Sequence, residues 1–541
     1  MSKKQTVSQT KPFNSKAMPL WCKILFLSLP IIISFFQVRI LDNDFFFLYK
    51  IGDYIVHRGF PYTDVLSMHS SMKIVVQQWL SAVIYYFFYN TFGQYGVIGL
   101  VYLCNAGIVI LTYRFISMIT NNDMIALGLA GFINFFIFDP FIVTRPQVFT
   151  YLILLASVCL LEKHVLTKKA GYLIGLPVLS LLLINLHAAM WPVLLVFMLP
   201  YIVDSIPIKV ENHKKEPNGN CLYLLASFAI SIVMGLINPY GVENMLYLTK
   251  SYGHRSFNLI MEMKPTSTSA TEGIMFFIAI VITALITLFI KKRAVTVRFF
   301  LLYFGTLALG LLQIKGIPYF FLFGIPAFAY MIKDFELSSI TKYTQKIITN
   351  RIKVLLKIFF ASAFFFLCVS RLNATREANM PMILHRQDLD NCIEILNETE
   401  YPIIFLYANF NDGQYLEYNG FHPYIDGRAE VFLAENNHYY DVFEEYYCLF
   451  NGGIYYRDFL DKYGFNYMIL DKEIDSYIYA SVSRDPDFEQ VYDSYDVTLF
   501  KRTDWSFDTM LGSETETEPK LNRQKPDNCH IFATTLLIVI P

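Results

Sequence analysis

The stretch Leu20–Asp44, LWCKILFLSLPIIISFFQVRILDND, decides the class of this chain. Its apolar run, 20–40, is long enough to cross a bilayer, which takes about 17–25 residues, and it ends abruptly at Asp42-Asn43-Asp44. Met1–Lys16 ahead of it is polar, so the run reads as a signal anchor and not as a cleaved signal peptide. Working outward, further runs of spanning length lie at 96–118, 123–142, 146–162, 171–186, 188–203, 221–237, 273–290, 296–313, 316–333 and 353–370, with a shorter one at 75–90. Composition agrees: of 541 residues, 55% are hydrophobic and 16% charged, and mean hydropathy is +0.40. Soluble chains carry about 25% charge. The expected fold class is a polytopic α-helical membrane protein with a C-terminal extracytoplasmic α/β domain.

Basic residues orient the spans, because loops rich in Lys and Arg stay inside. Lys3, Lys4, Lys11 and Lys16 place the tail 1–19 inside. The loops carrying Lys163, Lys168 and Lys169, then Lys209, Lys214 and Lys215, then Lys291, Lys292 and Arg293, and finally Lys333–Lys353 do the same. One alternation then runs from 96 to 370 and leaves the C-terminal domain outside. The N-terminus requires 41–74 to be outside, and the 163–170 loop requires 91–95 to be outside as well, so one run in the outer loop 41–95 does not span. The 75–90 run is the shortest and opens with Gln77-Gln78, so it is expected to be interfacial or re-entrant. That leaves about eleven spanning helices within 20–370.

After Ser370 the pattern changes. Within 371–512, Cys392–Glu398, His438–Phe450 and Tyr456–Tyr463 read as helices. Pro402–Tyr407, a run starting at Tyr424-Ile425, and Tyr467–Leu470 read as buried strands, and Phe488–Tyr492 with Val497–Phe500 as a hairpin. The segment 513–541 is acidic, then basic, and is expected to be disordered. Its apolar end, Ile531–Pro541, is too short to span. A net charge of -1 gives no reason to expect a nucleic-acid partner. The eight cysteines show no CxxC or zinc-type spacing, so no metal or other cofactor is implied. Cys392 and Cys448 both fall in the soluble part, which leaves a disulfide between them open.

Polar residues at helix ends in a membrane protein are costly and mark function. Here they gather on the outer side. Asp42 and Asp44 suit a general base at the membrane surface, and equally a solvated helix exit or an Asp44 N-cap of a helix over 45–57. Asp64 closes the turn that follows. Gln78-Trp79 suits an interface. Arg145, in Thr144-Arg145-Pro146-Gln147, is a positive charge on the outer face, which suits a phosphate ligand or a snorkelling side chain. Asn185-Leu186-His187 breaks two apolar runs. Asn238-Pro239-Tyr240-Gly241 ends another and opens a loop carrying His254, Arg255 and Glu262. Lys315 is a second outward cation, and with Arg145 it makes an anion clamp. In the soluble part, Asn411–Tyr415 and Ile425-Asp426-Gly427-Arg428-Ala429-Glu430 are turn-like, and Asp426 and Arg428 are able to pair with each other.

In their order, these motifs resemble the bacterial multi-pass glycosyltransferases of the GT-C fold, including the mannosyl- and aminoarabinose-transferase relatives. The resemblance runs over 20–502. It takes in Asp42-Asn43-Asp44 with Gly52 and the Gly59/Pro61/Asp64 turn, then Gln78-Trp79-Leu80, Arg145-Pro146-Gln147, Asn185-Leu186-His187, Asn238-Pro239-Tyr240-Gly241, Glu262, Gly413-Gln414-Tyr415-Leu416 and Ile425-Asp426-Gly427-Arg428. It departs at Gln78, where relatives carry Glu, and at Met263-Lys264-Pro265, where they tend to carry Trp. The resemblance implies a polyprenyl-phosphate-linked sugar as donor, an acceptor hydroxyl on the outer membrane face, and inversion at the anomeric carbon. It makes Asp44 the leading candidate for the base and Asp42 the second. Arg145 and Lys315 are expected on the leaving phosphate. Asn185, His187, Glu262, Asp64, Gln78, Trp79 and Tyr240 are expected to line the substrate site, with Asp426 and Arg428 in an accessory domain. The competing readings are a carrier or flippase for lipid-linked sugars, which needs polar groups along a path through the bilayer, and an envelope-assembly scaffold.

Overall fold

A computed structural model describes residues 18–36, 39–210, 213–215, 218–251, 260–289, 296–331, 333, 350–401 and 403–505. The expectations for most of the tail 1–19, for His254 and Arg255, and for 513–541 lie outside the described residues. The membrane part contains helices α1 (Leu20–Phe35), α2 (Asn43–Arg58), α3 (Trp79–Thr120), α4 (Asp123–Phe141), α5 (Gln147–Thr167), α6 (Gly175–Leu186), α7 (Trp191–Asp204), α8 (Cys221–Met234), α9 (Val242–Ser251), α10 (Thr271–Phe289), α11 (Val297–Leu312), α12 (Ile317–Tyr319) and α13 (Ile325–Met331). A two-stranded hairpin, β1 (Ile208–Val210) and β2 (His213–Lys215), closes one polar loop that carries no strand in the sequence reading.

Among the described residues, five helical segments are long and apolar enough to cross a membrane: Trp79–Thr120, Asp123–Phe141, Gln147–Thr167, Thr271–Leu288 and Ile314–Met331. Shorter apolar helices occupy Leu20–Phe35, Ala170–Leu186, Ala188–Asp204, Cys221–Met234 and Val297–Leu312. The protein is therefore membrane-like in composition, with the apolar runs falling where the sequence places them. The 75–90 run joins the 96–118 run into α3, with a break at Gly93 (φ 63°). Trp79–Phe92 rises only about 21 Å, against a hydrocarbon core of about 30 Å.

Two features position α2. Helix α2 lies against α3 at Gly52, where a Cβ would sit 2.3 Å from the Ala82 carbonyl oxygen. Only glycine permits that approach. Asp42 caps α2, its carboxylate accepting from the Asp44 amide at 3.1 Å, so the cap is Asp42 and not Asp44.

Helix α14 (Asn350–Asn397) runs without a break through the expected domain boundary at 370. The C-terminal domain then packs α15 (Gly413–Tyr418), α16 (Ala434–Asn437), α17 (Val442–Phe450), α18 (Tyr456–Tyr463) and α19 (Ser476–Val482) around a four-stranded sheet. The strands are β3 (Leu406–Tyr407), β4 (Tyr467–Asp471), β5 (Phe488–Asp493) and β6 (Val497–Arg502), in the order β3-β4-β6-β5. β3 and β4 are parallel, and the other pairs antiparallel. The expected hairpin is β5–β6, and β4 is buried along its whole length. Tyr424-Ile425 is not a strand. It is a buried extended segment whose Tyr424 amide meets Leu406 O at 3.2 Å before the chain turns at Asp426-Gly427. Cys392 and Cys448 are both buried free thiols, so no disulfide joins them.

The loop between α2 and α3 lies on this domain. Met68 N donates to Pro423 O and Lys73 N to Asn437 O. At its centre, Arg428 donates to Asp426 through Nε and to both oxygens of Asp64, at 2.8 and 3.3 Å. Burial alone would raise the Asp64 carboxyl, but Arg428 and the Ser67 donors hold it below the usual carboxylate range. Glu417 also faces this guanidinium, 3.6 Å away. Burial and the neighbouring Asp426 raise Glu417 well above its ordinary value.

Candidate active site

The start of α2, the α4–α5 turn, the α6–α7 break, the segment around Glu262, the turn before α12 and the C-terminal domain enclose one cavity of about 670 Å³. Ligand sites commonly measure about 300–1,000 Å³. Asp42, Asp44, Arg145, His187, Glu262, Lys315, Gln78 and Arg428 all line it. Residues from seven separate parts of the chain thus meet on one surface.

Arg145 is the hub. Its Nε lies 2.7 Å from Asp42 Oδ1 and 3.2 Å from Asp44 Oδ2, and its Nη1 is 2.9 Å from Glu262 Oε1. Pro146, which follows it, is the N-cap of α5. Burial raises the Asp44 carboxyl, Arg145 pulls it back, and Asp42, Glu262 and Glu430 add to the rise, leaving it at about 7. A carboxylate titrating there holds and releases a proton near neutral pH.

Lys315 follows the Gln313 break between α11 and α12. Among the described residues, no carboxylate stands within 4 Å of its Nζ, although Glu430 and Glu262 face it across the cavity. Glu430 comes from the short 3-10 turn Ala429–Phe432. Burial raises its carboxyl, partly offset by Lys315. His187 sits where α6 ends, its Nδ1 2.9 Å from Thr150 Oγ1. Burial, with Lys315 nearby, pushes it down to about 3, so it is a neutral imidazole.

Other expected substrate residues lie off the cavity. Trp79 Nε1 donates to Asn185 Oδ1 at 2.8 Å, while Asn185 Nδ2 donates to Leu181 O and Ile237 O. This pair ties α3 to α6. Tyr240 donates its hydroxyl to Pro61 O at 2.9 Å. Asp64 and Asp426 are spent on Arg428. These groups build the walls and do not face the space. The sequence reading quoted Glu430 within its motif without assigning it a role. Its place two residues beyond Arg428, on the same turn, was the available signal. Tyr247, on α9 in the loop after Gly241, and Tyr319, in the apolar run 316–333, also line the cavity.

The arrangement defines a class of fold. The chain has a GT-C fold. The Archaeoglobus fulgidus oligosaccharyltransferase, solved with a tethered acceptor peptide containing the NVT sequon, matches with TM-score 0.50 and 13% identity, over 84% of this chain and 69% of that one. Its apo form matches at 0.47 and 12%, over 84% and 70%. ArnT from Cupriavidus metallidurans, in the apo state, matches at 0.43 and 11%, over 89% and 97%. No family model and no curated protein sequence matches the chain.

Proposed function

We propose that this protein transfers a sugar from a polyprenyl-phosphate donor to an acceptor hydroxyl on the outer face of the membrane, with inversion. The observation that carries the reading is the convergence of Asp44, Arg145 and Lys315 on one cavity. Asp44, titrating near neutrality, takes the proton of the acceptor hydroxyl as its oxygen attacks the anomeric carbon. The bond from that carbon to the phosphate oxygen breaks, and the electron pair leaves on the polyprenyl phosphate.

The two cations divide the work. Arg145 already has three carboxylates around it, so a phosphate there would meet net negative charge. Its role is to orient Asp42 and Asp44 and to keep Asp44 from rising further. Lys315, whose ammonium has no carboxylate within 4 Å among the described residues, takes the leaving phosphate. Glu430 and the rest of the C-terminal wall face the acceptor. The cytoplasmic basic loops support a topology with the N-terminus inside and this cavity outside. The test is sugar transfer by membranes carrying Asp44→Asn, supplied with undecaprenyl-phosphate monosaccharides. Loss of a general base predicts a fall of about 10²–10⁴ in turnover, and undiminished transfer removes Asp44 from the mechanism.

A further inference from the structure

Arg386 stands on α14, outside the cavity lining, and the chemistry above does not use it. Its Nη2 donates to the Leu41 carbonyl at 2.7 Å and to Asn43 Oδ1 at 2.7 Å. Its guanidinium lies 4.9 Å over the ring of Phe46 on α2. Asn43 Nδ2 in turn donates to Asn411 O of the C-terminal domain at 3.2 Å. The neighbouring His385 meets Asp412 at 2.8 Å. From the opposite side, Thr144 Oγ1 accepts from the Asp42 amide at 2.8 Å. The four residues Leu41–Asp44 are therefore gripped between the α4–α5 turn and α14.

We propose that Arg386 is a positioning residue for Asp44, fixing the backbone entry to α2 and coupling it to the C-terminal domain. The inference rests on the transferase reading of the cavity. The Leu41 carbonyl precedes the cap residue, so holding it fixes the direction in which α2 starts and where Asp42 and Asp44 point. The contact reaches across 345 residues of sequence, and it is charged, directional and partly buried. A base displaced by about 1 Å loses rate on the order of a hundredfold.

The experiment uses the full chain in proteoliposomes with two readouts. One is transfer from undecaprenyl-phosphate hexoses and pentoses. The other is labelling of Asp44 by a water-soluble carbodiimide across pH, read by mass spectrometry. Arg386→Gln is expected to lower kcat about tenfold or more while the donor KM stays within about twofold. It is also expected to move the Asp44 labelling midpoint by about half a unit or more from its place near 7. Arg386→Lys, which keeps one charged donor, should recover part of both. If Arg386→Gln does not accumulate, Asn43→Ala removes an acceptor of the same grip and is read in the same way. Wild-type kcat with an unmoved midpoint overturns the positioning role. Full transfer by Asp44→Asn removes Asp44 from the mechanism, no turnover of any probe by the wild type overturns the transferase reading, and in either case the labelling midpoint still decides the role of Arg386.

Discussion

Arg145 and Lys315 carry the same charge into the same cavity, yet their surroundings differ. Three carboxylates surround the first, and among the described residues none comes within 4 Å of the second. Removing each should therefore have different effects. Lys315→Gln should weaken binding of undecaprenyl phosphate about 10- to 100-fold, the worth of one charge-assisted hydrogen bond. Arg145→Gln should leave that binding within a few-fold and lower turnover instead, because Asp42, Asp44 and Glu262 would repel one another. Equilibrium binding of undecaprenyl phosphate alone separates the two. The sequence names both cations, since positive charge on an outer face is out of place. It does not say which is already neutralised, because that depends on Glu262, 117 residues from Arg145.

At the scale of elements, residues written as polar punctuation turn out to be joints. Asn185 and Trp79 hold α6 to α3, and Gly52 lets α2 and α3 touch. The sequence flags these as unusual without telling a joint from a ligand, since both are polar residues at a helix end. A second joint went unmarked. Arg298 on α11 donates to Glu162 on α5 at 2.9 Å and to Asp204 at the end of α7 at 2.8 Å, all three side chains being almost fully buried. Each reads alone as the charged edge of an inner loop, and their pairing across 136 and 94 residues leaves no local trace. Arg298→Leu would take the shared counterion from the buried Glu162 and Asp204, at a cost of about 3–5 kcal/mol. A thermal-unfolding scan of the protein in detergent should show the variant melting well below the wild type.

For the whole molecule, the sequence located the apolar runs, five of which fall in helical segments of spanning length among the described residues, and the small C-terminal sheet domain. It missed that α14 carries one helix through the expected boundary at 370. Period and composition see one segment at a time, and Asp64 and Arg428 meet across 364 residues. The junction of α14 with that domain also makes stability depend on pH. Burial lowers His385, but Asp412 and Asp471 raise it from 6.5 to about 9. Its folded-state value lies above the unfolded one, so its stabilisation is full below about 6.5 and fades as pH rises through about 9. The thermal midpoint should fall over that interval, and His385→Gln should flatten the fall.

The central claim is that Asp44 is the base in this cavity. The most direct test is the pH dependence of single-turnover transfer from undecaprenyl-phosphate sugars, wild type against Asp44→Asn. The wild type should show an acid limb with its midpoint near 7, rising as the carboxyl loses its proton, and that limb should vanish from the residual activity of the variant. A wild-type rate that is flat from about pH 5 to 9, or an acid limb that survives in Asp44→Asn, would contradict it.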